Sequence, residues 1–183
     1  TICCAKVPKW LDKQECDIGY VQMIDISDNG NSKVTPLFQE KLCIMTSPNH
    51  PLAKQKEVYL KDFNEQSFTF TYAECCFTDK FRNDLKQADV QLKSELFLGS
   101  VTAVVDSCLM HDRLCLIPYV AIDKLKEYGL TQVNWIDAFN IYDCVLTQNT
   151  VKKNDKLYPL LEATKEYCLS LKKDNKTKDI VLL

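Results

Sequence analysis

The chain has 183 residues, of which 46% are hydrophobic and 26% are charged, a composition typical of a globular protein with a sizeable core. A formal net charge of −2, from 23 basic and 25 acidic residues, gives no broad positive field for binding nucleic acid. No apolar run is long enough to span a bilayer, and the N-terminus TICCAKVPKW lacks the basic-then-apolar pattern of a signal peptide.

Strand-like segments dominate the first part of the chain. VPKWLDKQE (7–15) is interpreted as the end of a helix, and SDNGNSK (27–33) as a loop because of its Asn, Gly and Ser content. The predicted strands are CDIGYVQMI (16–24), KLCIMTS (41–47) and SFTFTYAE (67–74), with a short extended piece at EVYLKDFN (57–64).

Helical and strand patterns alternate in the rest of the chain. The predicted helices are TDKFRNDLKQA (78–88, N-cap Thr78), SVTAVVDSCLMH (100–111, N-cap Ser100), VAIDKLKEYG (120–129, ended by Gly129) and YPLLEATKEYCLSL (158–171). The predicted strands are VQLKSELF (90–97), RLCLIP (113–118), TQVNWID (131–137) and YDCVLT (142–147). This alternation favours parallel strands joined by crossover helices in an α/β layer fold, with a solvated or frayed tail at 171–179.

The cysteine pattern favours reduced thiols. Ten cysteines occur, two pairs of them adjacent, but no CxxC, and only two histidines accompany them, so the usual ligand spacing of a structural zinc site is missing. Several cysteines lie inside apolar runs, where cysteine behaves as a small buried side chain. We therefore expect no metal, no cofactor and a cytoplasmic location.

Three segments combine the end of a strand with polar residues or the start of a helix. They are Thr46-Ser47, Glu74-Cys75-Cys76-Phe77 and Gly99-Ser100. In α/β sheets, ligands bind beyond the carboxyl ends of strands and near helix N-termini, which suit anions. The alternative interpretations are a turn residue for Ser47, a helix cap for Ser100 and core filler for the cysteines.

The two histidines and the cysteines do not predict an enzyme. His50 lies between two prolines in a turn and is interpreted as structural, and His111 is expected to end a helix. Nothing in the sequence brings either histidine near a candidate thiol nucleophile. A thiol at a helix N-terminus can have a lowered pKa, so redox sensing through Cys75 or Cys76 remains an alternative.

Several stretches together resemble one family. KLCIMTSPNHPLA (41–53), SFTFTYAECCFTDKF (67–81) and ELFLGSVTAVVDSCLMHDRLCLIP (95–118) resemble the effector-binding domain of LysR-type transcriptional regulators, a bacterial family. Upstream, ECDIGYVQM (15–23) and VTPLFQEKL (34–42) are similar to the family's second strand and the approach to its first crossover. The resemblance runs from about residue 15 to residue 171 and depends on the order and spacing of the motifs.

The resemblance implies two Rossmann-like lobes joined by two crossover strands, similar to type 2 periplasmic binding proteins. The lobes would be 1–45 plus 146–183 and 46–145, with crossovers near 44–47 and 145–148 and an effector in the cleft between them. The effector contacts that it implies lie at Thr46, Ser47, Cys75, Cys76, Phe77, Gly99 and Ser100, with Gln22 and Met23 beside the cleft. The effector is expected to be a small anion, and the domain to dimerise, or to form tetramers within a full-length regulator.

The sequence departs from the family pattern in three places. The helix-turn-helix domain and the first strand and helix of the effector domain are not recognisable, so DNA contact is expected only through a domain outside this sequence. The family's Gly-x-Gly before the last buried strand is replaced by His111-Asp112-Arg113. A stand-alone solute-binding protein of the same fold is the alternative, which a secretion signal or oxidised cysteines would favour.

Overall fold

The computed structural model describes residues 6–27, 32–148, 156–173 and 180–182. The chain forms two compact units: unit 1 comprises Thr1–Glu40 and Asn140–Leu183, and unit 2 comprises Lys41–Phe139. Both divisions come a few residues earlier than the expected lobe boundaries. The first falls inside one long strand, whose two halves pair with different partners and so belong to different units.

The described residues contain short helices and strands in alternation. The helices are α1 (Val7–Asp12), α2 (Cys76–Gln87), α3 (Val101–His111), α4 (Ile122–Glu127) and α5 (Tyr158–Lys173). The strands are β1 (Ile18–Met23), β2 (Ser32–Thr46), β3 (Ser67–Phe70), β4 (Ser94–Phe97), β5 (Leu114–Pro118), β6 (Thr131–Val133), β7 (Asn140–Gln148) and β8 (Ile180–Leu182).

The sheet of unit 2 is mixed rather than all parallel. Strands β4, β3 and β5 run parallel, as the prediction of crossover helices requires, with α2 and α3 as the connections. The second half of β2 and the short β6 instead pair antiparallel, β2 with β5 and β6 with β2. Within unit 2, the prediction of parallel strands is therefore wrong for β2 only. Strand β6 is antiparallel to β2 and so has the same direction as β5, and α4 is the helix that connects β5 to β6.

Unit 2 packs helices on both faces of its sheet. An aromatic cluster covers one face: Phe63, Phe68, Phe70, Phe81 and Trp135, which are all buried and meet at ring-centroid distances from 5.1 to 6.3 Å. Edge-to-face and tilted ring pairs of this kind stabilise the folded state by more than the burial of their apolar surface alone. On the other face, α3 and α4 pack a core of aliphatic residues and cysteines, including Cys43, Cys108 and Cys115.

Unit 1 contains a small antiparallel sheet between two helices. Strand β1 pairs with β7, β7 neighbours β2, and β8 pairs with the first half of β2. Val7 and Leu11 of α1 pack on Val21 and Leu146 of the sheet. Leu161 and Cys168 of α5 pack on the opposite face, as the helical spacing of apolar residues in 158–171 predicts.

Several predicted elements differ in extent. Strand β2 begins at Ser32, well before residue 41, although it contains Pro36, a residue uncommon inside strands because it has no N–H to donate. The predicted strand at 90–97 is confined to Ser94–Phe97, and β8 follows a tail that was interpreted as solvated. Residues 28–31 of the predicted loop and 174–179 of the tail lie outside the described part. None of the described helices is long and apolar enough to cross a membrane.

Candidate functional site

Two turns and two helix N-termini meet at the carboxyl ends of β3 and β4. Phe70 and Phe97 are direct partners in the parallel pair, so both strands end at the same level. The amide of Leu98 donates to the carbonyl of Phe70 (3.1 Å), and the amide of Gly99 donates to the carbonyl of Thr71 (2.8 Å). The surface that these parts form is called the β3–β4 edge. It comprises turns 71–75 and 98–100 and the first turns of α2 and α3.

Helix α2 begins three residues earlier than predicted, counted from N-cap to N-cap. Cys75, with extended backbone, occupies the N-cap position, and no side chain caps the helix. Thr78, predicted to be the N-cap, instead lies buried in the first turn. Phe77 is also buried, so of the 75–77 segment only Cys76 is partly exposed.

Helix α3 begins where the sequence predicts. Ser100 is the N-cap residue, but its hydroxyl makes no capping hydrogen bond, which corrects the expectation that it caps the helix. It is exposed, and the first amides of an α-helix have no intrahelical partner. Gly99 has φ +64°, a left-handed conformation that other residues adopt at a cost, so this position favours glycine. The N-terminus of α3 is therefore open to an anion.

The Cys75 thiol does not have the properties of a reactive cysteine. A hydrogen bond with Cys76 is the largest cause, and burial the second, of a pKa for Cys75 raised far above that of a free thiol. Only a thiolate attacks a disulfide or peroxide readily, so this environment opposes redox chemistry at neutral pH. Cys3 and Cys4 lie outside the described residues, and the other eight cysteines are free thiols.

Thr46 and Ser47 lie at the other end of the unit 2 sheet. Because β2 is antiparallel to β5, and β5 is parallel to β3, the end of β2 is level with the start of β3. The Thr46 hydroxyl donates to the carbonyl of Arg113 (2.8 Å), and the Ser47 hydroxyl, 4% exposed, accepts from the amide of Asn49 (3.2 Å). The structure therefore does not bring these two residues together with the β3–β4 edge, and both hydroxyls have structural partners.

His50 has the structural role that the sequence predicts, although it is buried. Its Nδ1 accepts a hydrogen bond from the amide of Leu52 (3.1 Å) and so caps a short 3₁₀ turn at Pro51–Lys54. Burial lowers the pKa of His50, while the nearby carboxylate of Asp112 opposes the shift. The ring is consequently neutral at pH 7, with its proton on Nε2.

Arg113 explains how the chain replaces the Gly-x-Gly of the family. Asp112 ends α3 with φ 48°, a conformation that Asp tolerates better than most residues. Arg113 is 9% exposed; its Nε donates to the Thr69 hydroxyl (2.8 Å) and one terminal nitrogen donates to the carbonyls of Phe68 (2.7 Å) and Ser94 (3.2 Å). The guanidinium therefore joins the starts of β3, β4 and β5.

Gln22 and Met23 lie at the end of β1 in unit 1. Gln22 is the register partner of Asp143, and its side-chain amide donates to the Asp143 carboxyl (3.3 Å). Asp143 also has a hydrogen bond with Glu40, which is 1% exposed. Burial raises the pKa of Asp143 above that of an ordinary carboxyl, more than the hydrogen bonds with Glu40 and Gln22 lower it. Met23 packs in the core beneath α1.

Sequence reasoning did not find this buried acid pair. A single acidic residue inside each of the apolar strands YDCVLT and PLFQEKL was the only available signal. Across the part of the chain that the structure describes, no group of three or more His, Cys, Asp or Glu residues could hold a metal ion.

Comparison with known proteins places this fold in a class of ligand-binding domains. The LysR substrate binding domain family matches residues 4–148. No curated protein sequence matches the chain. The regulatory domain of Synechocystis CcmR in complex with 2-PG has a similar structure, with a TM-score of 0.77 at 14% identity, covering 91% of this chain and 80% of that one.

Two further structures have the same fold. The regulatory domain of MetR, a LysR family regulator from N. meningitidis, has a TM-score of 0.69 at 15% identity, with 96% of this chain and 79% of that one covered. The effector-binding domain of QuiR in complex with shikimate has a TM-score of 0.67 at 17% identity, with 95% and 80% covered. These likenesses show a fold of the type 2 periplasmic-binding-protein class.

The chain belongs to the LysR substrate-binding domain family, as the match over most of its length shows. Domains of this family bind effectors for transcriptional regulators, and the family is not one of enzymes.

Proposed function

We propose that this domain senses a small organic anion at the β3–β4 edge and thereby controls a LysR-type regulator in the cytoplasm. The observation that carries the proposal is the meeting of two helix N-termini at paired strand ends, with the Ser100 hydroxyl exposed and not used as a cap. Unpaired amides and a positive helix end are suited to a carboxylate or a phosphate.

The surroundings of this edge also favour an organic ligand. Phe97, Leu98 and Val101 are exposed apolar residues next to Ser100. Ligand sites commonly combine apolar surface with a few polar groups that fix the orientation of the ligand. Gly99 and Ser100 would supply polar contacts and the exposed side chains would contact the hydrocarbon part of the effector. Among the other predicted contacts, Cys76 is the more accessible of the two thiols.

In this proposal the domain is not a catalyst, and its partners are the effector, further copies of itself and DNA, the last through a helix-turn-helix domain of the full regulator. An effector changes transcription only if it binds one arrangement of the regulator more tightly than another. A coupling of about 1–3 kcal/mol between effector and DNA is typical of such systems.

A ligand screen by thermal unfolding tests the proposal. Small carboxylates, amino acids and phosphates are added to the purified domain, and a ligand at about 100 times its Kd should stabilise the fold by about 2.7 kcal/mol. Ser100→Ala should weaken the response to the active ligand. Ser170→Ala is the matched control, because Ser170 is an exposed helical serine whose hydroxyl donates to the carbonyl of Tyr167 in its own helix. An equal loss in both variants, or none in either, contradicts the assignment of the site.

A further inference from the structure

A cavity of about 190 Å³ lies in unit 1, away from the residues assigned to the effector. Strand β2 contributes Lys33 and Thr35, β7 contributes Thr147, and the first turns of α5 contribute Tyr158 and Lys165, among others. One strand from the first part of the chain and two consecutive elements from its last part therefore form the walls. At about 30 Å³ per water molecule, the volume corresponds to roughly six waters, or to a small ion with part of its hydration.

The charges that line this cavity are predominantly positive. Lys33 and Lys165 supply two ammonium groups, and Glu162 supplies the one carboxylate in the lining. Glu162 forms an ion pair with Lys165 (3.2 Å). Lys33 has no acidic partner within ion-pair distance in the described part of the chain, so its charge is not compensated there.

The hydroxyls in the lining supply hydrogen-bond donors. Thr147 is 2% exposed, and its hydroxyl makes no hydrogen bond with the residues that the structure describes. This hydroxyl is not among the buried polar atoms that lack a partner in the described residues, so it is accessible from the cavity and can donate to a group bound there. Thr35 and Tyr158 add two more hydroxyls to the same walls. Water can solvate all of these groups, but a bound oxyanion would accept from the hydroxyls and also pair with the Lys33 ammonium.

We propose that this cavity binds a small oxyanion, a carboxylate or a phosphate, through Lys33, Lys165 and the hydroxyls of Thr35, Thr147 and Tyr158. The α5 residues of the site lie outside the segment that matches the family, which ends at residue 148. None of the residues predicted to contact the effector lines the cavity. The site is therefore independent of the proposed effector site.

Titration with inorganic phosphate and with acetate, each against sodium chloride at equal ionic strength, tests the proposal. Amide chemical shifts at 33, 35, 147, 158 and 160–165 should change saturably with at least one of the two oxyanions, and the oxyanion that causes the change identifies the class of ligand. Lys33→Gln and Thr147→Val should each weaken binding about tenfold, equivalent to about 1.4 kcal/mol. Lys33 is exposed and Val is close in shape to Thr, so neither change should unfold the domain.

Two controls distinguish this site from others. Lys54→Gln removes the same charge at an exposed position of unit 2 and should leave oxyanion affinity unchanged. Ser100→Ala should also leave it unchanged, so failure of the effector proposal does not imply failure of this one. An equal response to chloride, equal affinity in Lys33→Gln and wild type, or no saturable change at these amides would overturn the proposal.

Discussion

Replacing Arg113 tests the explanation for the sequence departure at 111–113. Arg113 is 9% exposed as a whole residue, and its guanidinium makes three hydrogen bonds, to the Thr69 hydroxyl (2.8 Å) and to the carbonyls of Phe68 (2.7 Å) and Ser94 (3.2 Å). Arg113→Met keeps much of the apolar stem but removes the donor of all three hydrogen bonds; Thr69 retains its bond with the Ser107 hydroxyl (3.1 Å).

The expected cost follows from these contacts. Each hydrogen bond to a charged group contributes about 1.5–3 kcal/mol, and removing the buried charge recovers part of its desolvation cost. Burial lowers the pKa of Arg113, in agreement with such a cost. We expect Arg113→Met to lower the free energy of unfolding by about 3 kcal/mol.

Arg82→Met is the matched control for this measurement. Arg82 is a partly exposed residue of α2 that pairs with Glu95 (3.0 Å) and lies over the ring of Phe97. Exposed ion pairs contribute about 0–1 kcal/mol. Urea unfolding with linear extrapolation gives the free energy of unfolding of each variant. The two can be compared if the slope of free energy against urea concentration is the same as in the wild type. A difference of less than about 1 kcal/mol between the variants would refute the structural role of Arg113.

Three further predictions concern other parts of the molecule. A methyl group at Gly19 would overlap Cγ1 of Val7, so Gly19→Ala should destabilise by about 1–3 kcal/mol, and adding Val7→Ala should recover much of the loss in a double-mutant cycle. The raised pKa of Asp143 means that the folded state holds this proton more tightly than the unfolded state, so the free energy of unfolding should fall as pH rises through the folded pKa. Asp143→Asn should make the free energy of unfolding less dependent on pH. The same pH dependence in wild type and variant would contradict this prediction. Iodoacetamide should alkylate Cys75 far more slowly in the folded protein at pH 7 than in urea, as peptide mass mapping would show, and comparable rates would contradict the buried, protonated thiol.

The fold was largely predictable because its helices have clear apolar stripes and termini. The stripe from Val101 to His111 predicted α3, and Gly129, with φ +93°, ends the α4 segment where the sequence indicates. Strand direction was not predictable in the same way. The pattern of β2 describes burial on its two faces, but its antiparallel pairing depends on where distant strands lie.

The candidate site was predictable only in part, for the same reason. The turns before α2 and α3 share an edge because β3 and β4 are parallel and adjacent. Thr46 and Ser47 carry the same local signal, a buried strand ending in hydroxyls, but strand direction places them at the other end of the sheet. Local sequence indicates that a strand ends, whereas only the sheet topology indicates which ends meet.

Chemical-shift mapping of the domain with the most stabilising ligand from the thermal screen shows directly whether the effector binds at the β3–β4 edge. If the effector binds at the β3–β4 edge, the largest changes occur at the amides of residues 75–77 and 99–101, and Ser100→Ala reduces both affinity and these changes. Changes confined to residues 46–50 at the opposite end of the sheet, or to unit 1 alone, would contradict an effector site at the β3–β4 edge.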